Sequence, residues 1–171
     1  MLVLGIDPGT AITGYGLVRE DQAGNLLAVD YGVVRTPSKD PMPERLRQIY
    51  HQIYEIANLH QPDSSAVEKL FFQSNVKTAI SVGQGRGVAI LALAEAEIPV
   101  AEYTPMEIKQ AVAGYGGADK YQVQHMIRAL LNLEDIPQPD DAADALAVGS
   151  RGRARGADAG RTQPVDHGRD R

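Results

Sequence analysis

Cysteine and tryptophan are absent from the 171 residues, phenylalanine occurs only twice, and no long apolar run is present. Without cysteine there is no disulfide framework, no thiolate zinc site and no thiol nucleophile, and a reducing compartment is permitted. A membrane span needs roughly 18 or more consecutive apolar residues, and no basic segment precedes the first short apolar run as an export signal would require. The expected protein is cytoplasmic, with no membrane partner. Its length suits one domain with a proper hydrophobic core.

Charge is present in both signs but unevenly placed. The whole chain is at −5, whereas residues 151–171 hold six Arg against three Asp and are at +3, leaving residues 1–150 at −8. An acidic body argues weakly against nucleic acid as a partner. That objection lapses if several acids form one metal site and the bases cluster, because local patches rather than global charge set docking. The Arg/Gly-rich stretch 151–171 has almost nothing to bury and is expected to be disordered, either as a solvated end or as an auxiliary phosphate-binding arm.

The most informative segment is Leu2-Val3-Leu4-Gly5-Ile6-Asp7-Pro8-Gly9-Thr10. An apolar run stopped by a Pro-Gly turn reads as a strand buried on both faces, with the Asp7 carboxylate emerging at the rim of a sheet. A carboxylate there either caps the following turn, as Asp does beside Pro and Gly, or is neutralised by a cation. Thr13–Val18 and Leu26–Val34, separated by a Gly24-Asn25 turn, extend this into an antiparallel meander of three strands. A helix with apolar Leu46, Ile49, Tyr50, Ile53, Ile56 and Ala57 follows Pro41-Met42-Pro43-Glu44. Ser65–Glu68 is a fourth strand and again ends on an acid. Residues 75–96 form a helix that becomes apolar on every side, buried inside the domain or against another subunit, with Ala92 taken as an outward small position. Ile98–Tyr103 is a fifth strand. Two short helices come next, the second starting near Asp119 with Gln122 in a capping-box relation. The class is α/β: three antiparallel strands, then parallel ones, flanked by helices.

A last helix follows Pro137-Gln138-Pro139 and carries Asp140, Asp141 and Asp144. Asp141 and Asp144, three apart, share a face, where like charges repel unless a cation separates them. Asp140 is explained by its place at a helix N-terminus, where acids are favoured. Asp7, Glu68, Asp141 and Asp144 together offer four negative charges, which two Mg²⁺ would balance. Ions held roughly 3.5–4 Å apart by carboxylates serve phosphodiester hydrolysis, one on the attacking water and one on the leaving oxygen.

Residues 1–150 resemble the RuvC crossover-junction endodeoxyribonucleases, the Holliday junction resolvases of RNase H-like fold. The matching segments are GIDPGTAITGYGL (5–17), VEKLFFQSN (67–75), VGQGRGVAI (82–90), EIKQAVAGYGGADKYQVQHM (107–126) and DAADALA (141–147), in that order over nearly the whole folded length. The resemblance implies a nuclease domain over 1–150 in an RNase H-like fold with a mixed five-stranded sheet. It implies a homodimer that nicks opposed strands of a four-way DNA junction in recombination and repair. It also implies Mg²⁺, two per subunit with Mn²⁺ as a substitute, on Asp7, Glu68, Asp141 and Asp144, and branch-migration proteins of RuvA and RuvB type as partners. Lys109 and Lys120 match basic positions at the scissile region, and Phe71 matches an aromatic that unstacks junction bases. Phe72, Lys77 and Arg86 are further DNA-contact candidates, with Phe72 equally a core residue. The physics agrees, since ammonium groups position phosphates and an aromatic stacks on an exposed base.

Two other readings compete. Asp-x-Gly-Thr followed by Thr-Gly-Tyr-Gly also resembles the phosphate loop of actin-like ATPases and sugar kinases, which need two such domains. A non-catalytic junction-binding module is the second, and the presence of all four carboxylates argues against it. Gly83, Gly85 and Gly87 lack dinucleotide spacing and read as close packing.

Overall fold

The computed structural model describes the backbone of residues 1–69 and 76–159, and the side chains of 1–69 and 79–152. Along the chain these form β1 (Leu2–Asp7), β2 (Ile12–Glu20), β3 (Leu26–Arg35), α1 (Met42–His60), β4 (Ser64–Glu68), α2 (Val76–Glu95), β5 (Val100–Tyr103), α3 (Pro105–Ala113), α4 (Lys120–Leu130) and α5 (Asp140–Ala159). The sheet order is β3-β2-β1-β4-β5. β1 pairs antiparallel with β2, and β2 with β3, whereas β4 is parallel to β1 and β5 to β4. This is the expected mixed five-stranded sheet.

Strand periodicity decides where the functional groups point. In β1, Leu4 and Ile6 bury on one face among Ile49, Ile53, Ala57, Ala89 and Leu93 of α1 and α2. Val3 buries on the other face, among Ile108, Val123, Ile127 and Leu146 of α3, α4 and α5. Side chains two apart share a face, so Asp7 follows Val3 and Gly5 onto the α5 side. In β4, Val67 faces α1 and α2 while Ala66 faces the α3–α5 side, and Glu68 follows Ala66. Because Ile6 lies opposite Val67 in the parallel register, the next residues of the two strands, Asp7 and Glu68, emerge side by side.

Helix α5 lies directly on the middle of the sheet. A Cβ at Gly5 would meet the Ala145 carbonyl oxygen, one at Gly14 the Asp141 carbonyl oxygen, and one at Gly16 the Leu146 backbone nitrogen, all at under 3.0 Å. The glycines of the first two strands thus form a bare strip against which the helix backbone rests. Both short helices start as their sequences dictate. Thr104 with Glu107 closes a capping box on α3, and Asp119 with Gln122 closes one on α4.

Two expectations change. First, Ala92 does not face outward; it is fully buried with Ala89 and Leu93. A helix apolar on all sides carries no phase information, and the packing of α2 chiefly against α1 sets its rotation instead. The outward stripe is Ile80, Leu91 and Ala94, and a Cβ added at Gly83 or Gly87 would project into open space among the described residues. Second, of the three α2 glycines only Gly85 packs closely, against Thr10 and Gly9 in the β1–β2 turn. Helix α5 runs on past residue 150 through Ala159. Arg151 lies 4.6 Å over the Tyr103 ring and Gly152 is buried against Val3 and Ala66, which gives this part of the Arg-rich stretch something to pack on. The tail from 160 onward lies outside the described residues.

Candidate active site

Asp7 and Glu68 at neighbouring strand ends meet Asp141 and Asp144 on the first turns of α5. The Asp7 carboxyl hydrogen-bonds that of Glu68 and feels the charges of Glu68, Asp144 and Asp141. Burial, reinforced by these three acids, raises its pKa to about 8. Glu68 is also raised, by burial and then by Asp144, with the bond to Asp7 and the charge of Lys109 acting in the opposite sense. Asp144 is raised by burial and partly relieved by Lys120. Repulsion of this kind is relieved either by a retained proton or by a cation.

Two lysines supply positive charge at the rim. Lys109 and Lys120 line, with Glu68, Asp144, Ile108 and Val123, a cavity of about 210 Å³. The Lys120 Nζ stands 3.2 Å from Asp144 Oδ2 and 3.2 Å from Asp140 Oδ2. A larger cavity of about 630 Å³, lined by Met106, Gln110, Tyr115 and Arg151, contains none of the four carboxylates. Chemistry rather than volume therefore picks the smaller one.

Among the described residues, no group of three or more acidic or histidine side chains stands close enough together to hold a metal ion. A hard cation such as Mg²⁺ does not require such a group, since it takes one or two carboxylates and completes its shell with water and phosphate oxygens. The donor set is all carboxylate oxygen, and its crowding favours added positive charge. A metal thus fits these residues.

Of the glycines in the GIDPG and TGYG segments, Gly5, Gly14 and Gly16 are covered by α5, whereas Gly9, in the β1–β2 turn, packs against the Ile12 backbone. Arg86 is engaged within the chain: its Nε donates to the Glu68 carbonyl oxygen at 3.1 Å and its guanidinium pairs with Glu102. Phe71 and Phe72 lie outside the described residues, as does the side chain of Lys77, whose backbone is in α2. Sequence reasoning passed over Glu102, although an acid in a short strand next to an acid-tipped strand is a usable signal. It gave Asp140 only a helix-terminus role, although Asp140 also holds Lys120 and accepts a hydrogen bond from Gln124.

A mixed sheet of this order, with carboxylates at the ends of β1 and β4 facing an acidic pair on the last helix, defines a metal-dependent nuclease of the RNase H-like class. The chain matches the family described as Crossover junction endodeoxyribonuclease RuvC over residues 3–150, and it belongs to that family. A relative of that description from Desulfitobacterium hafniense is 60% identical over 148 residues, 86% of this chain and 89% of the relative. The solved structure of Thermus thermophilus RuvC superposes with a TM-score of 0.85 at 36% identity, covering 96% of this chain and all of that one. The T. thermophilus protein in complex with Holliday junction substrate gives 0.84 at 34% identity, with 96% of this chain and all of that one covered. The enzyme activity that goes with this membership is that of a crossover junction endodeoxyribonuclease. Among the described residues no helix is long and apolar enough to cross a membrane.

Proposed function

We propose that this enzyme resolves four-way DNA junctions by paired, symmetric nicks, with Asp7, Glu68, Asp141 and Asp144 as its metal-binding and catalytic residues. The observation that carries the reading is the convergence of these four acids, where burial and then the neighbouring carboxylates push Asp7 up to about 8. Two Mg²⁺ per subunit, replaceable by Mn²⁺, would sit on these carboxylates and supply an activated water and charge stabilisation at the leaving oxygen. Asp7 and Glu68 fix the strand-end side of the site, while Asp141 and Asp144, carried on a helix that rests against glycines, fix the opposite side. Lys109 and Lys120 hold the phosphate backbone at the cavity rim, and the flanking lysine charge also offsets the carboxylates when DNA is absent. Phe71, Phe72 and Lys77 are the proposed contacts to bases and backbone at the crossover. Arg86 braces the end of β4.

A two-fold junction cut twice calls for two equivalent sites, hence a homodimer. The outward apolar stripe of α2 is the surface proposed for the second copy. Branch-migration proteins of RuvA and RuvB type are the proposed partners, and the cytoplasm is the proposed place of work.

The test is an end-labelled four-way junction and a matched linear duplex, each incubated with Mg²⁺, with Mn²⁺ and with a chelator. Metal-dependent paired nicks confined to the junction are expected. Tight junction binding without cleavage in either metal would leave a binding module, and indifference to junction shape would remove the junction from the reading.

A further inference from the structure

Asp140 is the first residue of α5 and lies outside the four carboxylates assigned above. It is nevertheless tied to them. One of its oxygens, Oδ2, stands 3.2 Å from Lys120 Nζ, and the other, Oδ1, accepts from Gln124 Nε2 at 3.1 Å. Lys120 in turn stands 3.2 Å from Asp144 Oδ2. On α4, Lys120 and Gln124 are four apart; on α5, Asp140 and Asp144 are four apart. Residues at that spacing share a helix face, so the two pairs close a ladder between the helices with the lysine ammonium in the fork of two carboxylates.

We propose that Asp140 is a positioning residue for Lys120, keeping the ammonium at the cavity rim when a divalent cation claims Asp144. This rests on the reading of the site given above. Asp144 cannot give its charge fully to both the lysine and a dication, because the two cations repel across a shared carboxylate. A lysine with Asp144 as its only partner would either compete with the metal or, being half exposed, swing into solvent on its four-carbon stem. With Asp140 as second partner it releases Asp144 and remains beside Glu68 and Lys109, where a phosphate needs it. Gln124 contributes by fixing the Asp140 carboxylate from α4. An exposed ion pair adds little to fold stability, so a positioning role separates cleanly from a structural one.

The experiment compares Asp140→Asn, Asp140→Glu, Lys120→Met and the Asp140→Asn/Lys120→Met double variant in the full-length protein. Mn²⁺ binding is measured by calorimetry without DNA, Mg²⁺ dependence is read from junction cleavage, and melting temperature is followed throughout. Asp140→Asn is expected to weaken Mn²⁺ binding and raise the Mg²⁺ needed for half-maximal cleavage, each about three- to tenfold, with an unchanged melting temperature. Asp140→Glu restores both, and in the Lys120→Met background Asp140→Asn has no further effect. An equal loss with and without Lys120 overturns the inference, since Asp140 would then act on the metal through its own charge. A lowered melting temperature with unchanged metal dependence overturns it too, leaving only a helix-terminus acid. If the unsubstituted protein neither binds Mn²⁺ by calorimetry nor needs Mg²⁺ for junction cleavage, the reading of the site fails and takes this inference with it.

Discussion

The Asp7 carboxyl at the tip of β1 shares a hydrogen bond with the Glu68 carboxyl at the tip of β4. Two carboxyls can share such a bond only if one of them carries a proton, and burial with three neighbouring acids puts that proton on Asp7 up to about pH 8. A carboxyl whose folded pKa lies above its unfolded value of 3.8 stabilises most at low pH, below that unfolded value. The contribution declines as pH rises toward 8, where the folded form finally ionises, because across this window the folded state binds the extra proton. The metal-free protein should therefore lose stability between about pH 4 and pH 8, by on the order of a few kcal/mol. Asp7→Asn, which keeps a donor for Glu68 without a titrating group, should flatten that slope. It should melt several degrees higher than the native sequence at pH 8 without metal, and should not cleave. Thermal melts across pH decide it; a native profile that is flat from pH 4 to 8 removes the shared proton.

Gly14 and Asp141 are coupled through backbone rather than side chain. Any Cβ at position 14 would collide with the Asp141 carbonyl oxygen, so α5 must lift where its two acids approach Asp7. Gly14→Ala should lower stability by about 1–3 kcal/mol, as overpacking does. It should reduce cleavage by at least a hundredfold, because displacement of the order of 1 Å is enough to uncouple catalytic groups. Junction binding measured with Ca²⁺ in place of Mg²⁺ should fall much less than turnover. Equal losses in binding and turnover would mean that the glycine strip serves the fold and not the spacing of the acids.

The surface of α2 gives a test with an internal control. Leu91 is about half exposed and lies on the outward stripe with Ile80, whereas Ala92, one residue on, is fully buried. Leu91→Glu should convert a dimer to a folded monomer by sedimentation and lower junction cleavage while the melting curve stays cooperative. Ala92→Glu places a charge in the core and should instead unfold the chain. A dimer unchanged by Leu91→Glu would move the second copy to a different face.

Much of this was legible in the residues. Asp7 and Glu68 could be placed at strand ends because an apolar run followed by an acid is a local pattern, and Asp141 and Asp144 could be paired because helix spacing is local too. What escaped was relational. Gly5, Gly14 and Gly16 are scattered along two strands, and only the landing of α5 on them shows that they set its height. The rotation of α2 was hidden because its apolar residues encircle the helix, so Ala92 and Leu91 could not be told apart by pattern. Asp140 had a sufficient local explanation at its helix terminus, which concealed its longer-range hold on Lys120. Arg86 read only as a DNA-contact candidate, because its partners within the chain, a carbonyl on β4 and Glu102 on β5, are distant in sequence.

That last pair separates two roles for one arginine. Arg86 donates to the Glu68 carbonyl oxygen and pairs with Glu102, so α2 grips the ends of β4 and β5 at the point where Glu68 leaves the sheet. If the guanidinium serves as a brace, Glu102→Gln weakens the grip without removing any positive charge that DNA could use. It should lower the cleavage rate about three- to tenfold while leaving junction affinity and its salt dependence unchanged. Arg86→Gln should do more, because it also frees the Glu68 carbonyl oxygen, yet its effect too should fall on rate rather than on affinity. An arginine that contacts phosphate behaves otherwise: its loss weakens binding across sequences and reduces the salt slope by about one unit. Salt titrations of junction binding for both variants, alongside single-turnover cleavage, tell the two apart. A reduced salt slope in Arg86→Gln with intact single-turnover rate would return Arg86 to the DNA interface.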